Sequence, residues 1–139
     1  MGSGVEMAIA SNGYTLVVAN GNVWGMGANN YGQLGIGVTT TKEMSPVQAS
    51  FFDDKQVQSL SDASQGAHNL VVTHSAWGTE LYAFGYNNKG QLGLQETVAT
   101  PPNHDSPQLV TFFVGKTVQL SVVGWEHSLV VAGMACVSP

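Results

Sequence analysis

An all-β fold, built from repeated four-stranded antiparallel sheets, is what this 139-residue sequence predicts. Three observations carry that reading: a glycine-rich block that occurs twice, a Leu-Val-Val block that occurs three times, and no segment with a sustained helical period and caps. Gly27-Ala28-Asn29-Asn30-Tyr31-Gly32-Gln33-Leu34-Gly35-Ile36 returns 58 residues later as Gly85-Tyr86-Asn87-Asn88-Lys89-Gly90-Gln91-Leu92-Gly93-Leu94. Thr15–Ala19 returns as Asn69–Thr73 and again as Ser128–Ala132, preceded in turn by Tyr14, His68 and His127. Two linked blocks in a fixed order are not a chance match. The chain is a repeat protein.

Leu-Val-Val is too short for a helix and rich in β-branched residues, which suits a strand buried on both faces. In the first unit Asn20-Gly21 follows, and both residues readily take the positive φ of a two-residue hairpin. Asn22–Met26 then returns as the partner strand. The second unit is expected to have a longer turn, His74 to Glu80, before Leu81–Phe84. Polar linkers with Pro46, Pro101, Pro102 and Pro107 follow the glycine blocks. Val47–Ala49, Val57–Leu60, Leu109–Phe113 and Val118–Val122 are expected to be further strands. About four short strands per unit, at a period of roughly 50 to 60 residues, describe β-propeller blades rather than a solenoid. The single partial propeller domain, 1–139, divides into repeat 1 at about 8–56, repeat 2 at about 57–117 and a partial repeat 3 at about 118–139.

Composition narrows the function classes. Only 9% of residues are charged, the net charge is −5, and the four positive side chains are Lys42, Lys55, Lys89 and Lys116, with no arginine. No basic stripe exists to follow a phosphate backbone, so nucleic acid is not an expected partner. The longest apolar runs are far too short to insert in a membrane. Met1-Gly2-Ser3-Gly4 lacks the basic and apolar regions of a secretory leader, and Glu6 stands where myristoylation needs Ser or Thr. A lone Cys136 and the lack of any Asn-x-Ser/Thr acceptor fit an intracellular setting, cytoplasmic or nuclear.

The order Gly-x-x-His-Ser-Leu, strand, hairpin, aromatic strand, Asn-x-x-Gly-Gln-Leu-Gly resembles the regulator of chromosome condensation repeat family. Gly124-Trp125-Glu126-His127-Ser128-Leu129 fits its first part fully, and His68-Asn69-Leu70 and Tyr14-Thr15-Leu16 fit in part. Met26-Gly27 and Phe84-Gly85 replace the usual Trp-Gly, while both Gly-Gln-Leu-Gly blocks are intact. The residues that carry the repeat are Gly27, Asn29, Gly32, Gln33, Leu34 and Gly35, then Gly85, Asn87, Gly90, Gln91, Leu92 and Gly93, with Gly124 and His127. The resemblance implies a propeller that typically closes with about seven blades. Two units and the opening of a third, with Cys136-Val137 starting its next strand, leave apolar faces and unpaired edges. These expect either further blades or self-association, three copies supplying about seven blades.

The resemblance also implies function. The founding member uses loops on one propeller face to contact a small GTPase and expel its nucleotide; Trp125, Glu126, His127 and His68 are the matching candidates for partner contact. Its docking on chromatin is not expected here, since no basic tail is present. Relatives that act as scaffolds in trafficking, cilia or ubiquitin ligation supply the alternative, a non-catalytic binder. A remote alternative is ultraviolet sensing, because a plant photoreceptor of this fold uses clustered tryptophans with arginine ion pairs; of Trp24, Trp77 and Trp125, only Trp125 lies in the matching motif.

No enzyme site of the chain's own is expected. Gly27-x4-Gly32 and Gly85-x4-Gly90 have the glycine spacing of a phosphate-binding loop, but Gln33 and Gln91 replace its Lys and no Ser or Thr follows. The glycines serve a tight turn, Gln33 and Gln91 are expected to bond loop carbonyls, and Leu34 and Leu92 to plug the core. His68, His74, His104 and His127 have no metal-ligand spacing. No cofactor is expected. Asp53, Asp54 and Glu80 read as solvated turn carboxylates, and Cys136 has no catalytic partner in sequence.

Overall fold

A computed structural model describes residues 4–61, 65–99 and 102–134. They form three antiparallel sheets in chain order. The first contains β1 (Val5–Ser11), β2 (Tyr14–Ala19), β3 (Asn22–Ala28) and β4 (Lys42–Gln48). The second contains β5 (Gln56–Leu60), β6 (His68–Ser75), β7 (Gly78–Gly85) and β8 (His104–Leu109). The third contains β9 (Lys116–Val123) and β10 (Ser128–Met134). Short 3-10 turns, Ser50–Phe52 and Thr111–Phe113, lead from each sheet to the next. No helix among the described residues is long and apolar enough to cross a membrane.

Each four-stranded sheet is a meander, so neighbours in sequence are neighbours in space. Asn20 (φ 52°) and Gly21 (φ 77°) make the expected tight hairpin between β2 and β3. The corresponding turn in the second sheet is just as short: Ser75 pairs with Gly78, leaving only Ala76 and Trp77 at the tip. The longer turn expected over His74–Glu80 is therefore replaced by continued pairing, in which Thr73 and His74 face Glu80 and Thr79.

The outer strands differ most from expectation. β1 has no distinctive apolar run and was not among the expected strands. β4 and β8 begin well inside what read as polar linkers, and each carries a proline, Pro46 and Pro107. Both are edge strands, where a missing N–H removes no ladder bond. The strand expected at Leu109–Phe113 ends at Leu109, and Thr111–Phe113 coils into a 3-10 turn whose Phe113 N–H donates to the Val110 carbonyl. Ala49 likewise lies beyond β4, at the start of the first 3-10 turn. Cys136 and Val137 lie outside the described residues.

The core forms two seams between successive sheets. Ile9, Leu16, Val18 and Val23 of the first sheet meet Val71, Tyr82 and Phe84 of the second, with Leu34 and Phe52 completing the cluster. Leu70, Val72, Leu81 and Ala83, from the opposite face of the second sheet, meet Val118 and Val123 of β9. The two-residue alternation along β6 and β7 sends adjacent side chains into different seams. Burial on both faces is consequently a property of the middle sheet. On β10, Leu129 and Val131 remain exposed, as do Leu120 and Val122 on β9.

The glycine loops show how tightly the first seam closes. A Cβ on Gly32 (φ +76°) would stand 2.4 Å from Asp105 Cα, whereas one on Gly90 (φ +74°) would meet nothing within 4 Å. Both positions carry the left-handed backbone cost of about 1–2 kcal/mol for any other residue. Gly90→Ala should lower stability by about that amount, and Gly32→Ala by clearly more, since β8 backbone must move. Urea midpoints of the two variants check this; equal losses would contradict the geometry.

Candidate functional site

Because the strands alternate in direction, the β1–β2, β5–β6 and β9–β10 loops and both glycine loops gather at one end of the sheets. The hairpin tips Asn20-Gly21 and Ala76-Trp77 lie at the other. The motif residues of the repeat are thus concentrated on a single face.

Their first task is structural. Asn29 Oδ1 accepts from the Leu34 N–H at 3.1 Å, and Asn87 Oδ1 from the Leu92 N–H at 3.1 Å. Gln33 and Gln91 do not bond loop carbonyls as expected. Their Oε1 atoms accept from the Tyr31 and Lys89 N–H groups, both at 2.9 Å, and so close the turn two residues upstream. Leu34 and Leu92 are buried plugs, as expected. Gly27 (φ +96°) and Gly85 (φ +100°) let the chain pass the Gly13 and Ala67 carbonyls, which a Cβ would approach to 2.3 and 2.5 Å. Nothing in this arrangement resembles a phosphate cradle with its cation.

Between sheets, the repeat places a three-member hydrogen-bond relay. Tyr14 Oη donates to Asn69 Oδ1 at 3.0 Å, and Asn69 Nδ2 donates to the Gln33 carbonyl at 2.7 Å. In the next seam His68 Nε2 lies 2.9 Å from Ser128 Oγ, which donates to the Gln91 carbonyl at 2.8 Å. A hydroxyl has one proton, so Ser128 accepts from His68, and His68 is the neutral Nε2–H tautomer. Burial pushes its pKa down to about 4 and pushes the Tyr14 phenol up to about 12. His68 Nδ1 is buried without a partner. A side chain with no exposed surface cannot touch a partner protein, which corrects the expectation that His68 belongs to the contact surface. It is a scaffold residue that links two sheets.

His127 occupies the equivalent position on the third sheet, but there it is exposed, together with Trp125 and Glu126. Its ring folds back over Gly124, where a Cβ would come within 2.4 Å of it. Trp125 is 68% exposed and borders a cavity of about 410 Å³ with Ala10, Ser11, Asn12 and Gln65. Ser11 Oγ donates to the Gly66 carbonyl at 2.7 Å, tying the first two loops of this rim together. Sequence reasoning missed Ser11, Asn12 and Gln65: Ser11 and Gln65 stand where the motif has glycine and Asn12 at an unconstrained position, so only equivalent loop position in the repeat would have pointed to them.

The other candidates disperse. Trp24 lies on β3, Trp77 at the far hairpin tip and Trp125 on the rim, so they form no tryptophan cluster. His104 bonds Glu96 at 2.8 Å, and Glu96 also receives Asn87 Nδ2, so this pair braces the second glycine loop. No group of three or more metal-ligating side chains occurs among the described residues.

The repeat geometry agrees with sequence comparison. The family model for the regulator of chromosome condensation (RCC1) repeat matches residues 20–71 and 80–131, most of the chain. The chain belongs to the RCC1 repeat family. Each matched RCC1 segment begins within one sheet and ends within the next, so one sequence repeat spans one seam. Among relatives, the Ultraviolet-B receptor UVR8 of Arabidopsis thaliana is 35% identical over 59% of this chain and 17% of its own length. The X-linked retinitis pigmentosa GTPase regulator of Canis lupus familiaris is 35% identical over 76% of this chain and 10% of its own. Human WBSCR16 superposes with a TM-score of 0.76 at 21% identity, covering 96% of this chain and 32% of that one. Prp20p from Saccharomyces cerevisiae gives 0.74 at 15%, covering 94% and 31%. The fold is therefore a segment of an RCC1-type β-propeller, and the chain spans under a third of the length of these relatives.

Proposed function

We propose that the chain is a protein-interaction module whose contact surface is the loop-bearing rim around Trp125, Glu126 and His127. The observation that supports it is the exposed Trp125 beside the polar cavity of Ser11, Asn12 and Gln65. A large aromatic with a wet rim is the side chain most often found to dominate a protein interface. The finer reading is guanine-nucleotide exchange on a small GTPase, in which the rim binds the nucleotide-free form better than the loaded one. Support comes from relatives: one is named a GTPase regulator, and Prp20p is described with binding properties toward Gsp1p and histones. The chain's acidic balance of −5 and lack of arginine give no support to histone or nucleic-acid contact. A scaffold that binds without exchange is the second reading, since an exposed aromatic on a wet rim serves binding with or without nucleotide release. Ultraviolet sensing gains nothing from dispersed tryptophans and no arginine.

The test is nucleotide release from a candidate GTPase, followed with a fluorescent guanine nucleotide, alongside direct binding. Acceleration supports exchange, and binding without acceleration supports the scaffold. Trp125→Ala should weaken binding by about 2 kcal/mol or more. It should leave stability within about 0.5 kcal/mol, because the side chain is exposed. Unchanged binding would remove Trp125 from the surface.

A further inference from the structure

The hairpin between β2 and β3 turns on Asn20-Gly21, a dipeptide with a chemistry of its own. Glycine has no Cβ beside its backbone nitrogen, so that nitrogen can reach a preceding asparagine's side-chain carbonyl and close a five-membered imide. Ring closure makes three demands. The Gly21 N–H must give up its proton, Asn20 Cγ must swing to the Gly21 nitrogen, and the side-chain amide must leave as ammonia.

The fold opposes the first two. Gly21 N–H donates to Glu6 Oε1 at 2.9 Å. A carboxylate at that distance disfavours the negative charge that the nitrogen would acquire on losing its proton. Asn20 Oδ1 accepts from the Gly4 N–H at 3.1 Å, and the Asn20 N–H donates to the Gly4 carbonyl at 3.3 Å. These two bonds hold the side-chain amide towards the start of β1. Ala19 and Asn22 pair across the turn, so neither is free to follow a rotation at Asn20. Glu6 owes its aim to a shift in the β1–β2 register between Val5 and Met7. Glu6, Asn20 and Gly21 are all exposed, and β1 is an outer strand of its sheet, where local opening costs least. The matching turn of the second sheet, Ala76-Trp77, carries no side-chain amide, so the arrangement belongs to the first unit alone.

We propose that Asn20-Gly21 is a site of covalent self-modification, held unreactive by Glu6 and Gly4 and released when the start of β1 leaves β2. On release the Gly21 nitrogen bonds to Asn20 Cγ, the Cγ–Nδ2 bond breaks, and the Gly21 proton departs with that nitrogen as ammonia. Water then opens the imide at either carbonyl, which leaves aspartate or isoaspartate. Either product sets a second carboxylate beside Glu6, and isoaspartate also lengthens the backbone of a two-residue turn. The start of β1 therefore does not regain its place, and the change is one-way. The site lies at the end of the sheets opposite Trp125 and does not rest on the proposed function of that rim.

The test incubates the full chain in mildly alkaline buffer and follows deamidation by peptide mass spectrometry, with electron-transfer fragmentation to separate aspartate from isoaspartate. Asn12-Gly13, the other Asn-Gly pair of the sequence, is the reference within each sample. Glu6→Ala removes one hydrogen bond to a charged acceptor, so it should speed the reaction at Asn20 about fivefold or more and leave Asn12 unchanged. Glu6→Gln keeps a side-chain oxygen for the Gly21 N–H and should restore part of the protection. In urea all three chains should react at Asn20 at one faster rate. A slower reaction in Glu6→Ala overturns the proposal, by making Glu6 a base that activates Gly21. An unchanged rate in Glu6→Ala also overturns it, as does Glu6→Gln reacting as fast as Glu6→Ala. So does an equal rise at Asn12, which would mean general loosening, or the absence of any reaction at Asn20 in urea.

Discussion

Phe84→Ala should destabilise the chain by about 3–5 kcal/mol, the range for an aromatic deleted from a packed core. Phe84 is fully buried, covers Gly35 and packs against Phe52, so its loss opens a cavity in the middle of the first seam. Neither sheet can easily collapse into that space, because the backbone of β7 is paired on both sides, to β6 and β8. By contrast Leu129→Ala, on β10 of the third sheet, should cost far less, since Leu129 is half exposed. Chemical denaturation of both variants decides the matter. A loss below about 1.5 kcal/mol for Phe84→Ala would mean that the first seam is not a close-packed core. The contrast separates a side chain packed between two sheets from one on the outer face of the third.

The second large effect is acid sensitivity through His68. Its folded pKa, about 4, lies below the ordinary 6.5 because burial disfavours the imidazolium. The unfolded chain takes up the proton as pH falls through about 6.5, while the folded chain declines it until about 4. Stability contributed by this group is therefore complete above pH 6.5, falls between 6.5 and 4, and falls no further below that. A shift of this size corresponds to a loss on the order of 3 kcal/mol across the window. His68→Gln should flatten that part of the curve, since the amide does not titrate while its NH2 group can still donate to Ser128. Comparing urea midpoints of the two proteins from pH 7.5 to 4 subtracts the other histidines and the carboxylates. If the two curves run parallel, His68 is not the buried neutral group described here.

The relay explains why unlike residues can hold one repeat position. Tyr14 and His68 each donate across a seam to a small polar residue, Asn69 or Ser128, which donates on to a glutamine carbonyl. Tyr14 meets Asn69 and His68 meets Ser128, and the acceptor at the end is in both cases the carbonyl of the repeat's glutamine. His127 has the same place in the repeat but faces solvent, so one repeat position holds a scaffold residue in one unit and an exposed residue in the next.

That difference marks the boundary between what could be read from the chain and what could not. Local chemistry was enough for β2, β3, β6, β7 and β10, because β-branched runs and Asn20-Gly21 dictate strands and a hairpin without outside help. The Gly-Gln-Leu-Gly turns were equally legible, since their bonds run between residues two to five apart. The edge strands β1, β4 and β8 were not, because Pro46, Pro107 and polar side chains are compatible with linker and edge strand alike, and only a neighbouring strand selects the second. The same holds at the candidate site. Trp125, Glu126 and His127 were recognisable from their motif, but the cavity that Trp125 shares with Ser11, Asn12 and Gln65 exists only because sheet stacking aligns three loops distant in sequence. Burial belongs to the tertiary level too: period-2 alternation names two faces of a strand, and which face meets water depends on whether another sheet lies against it.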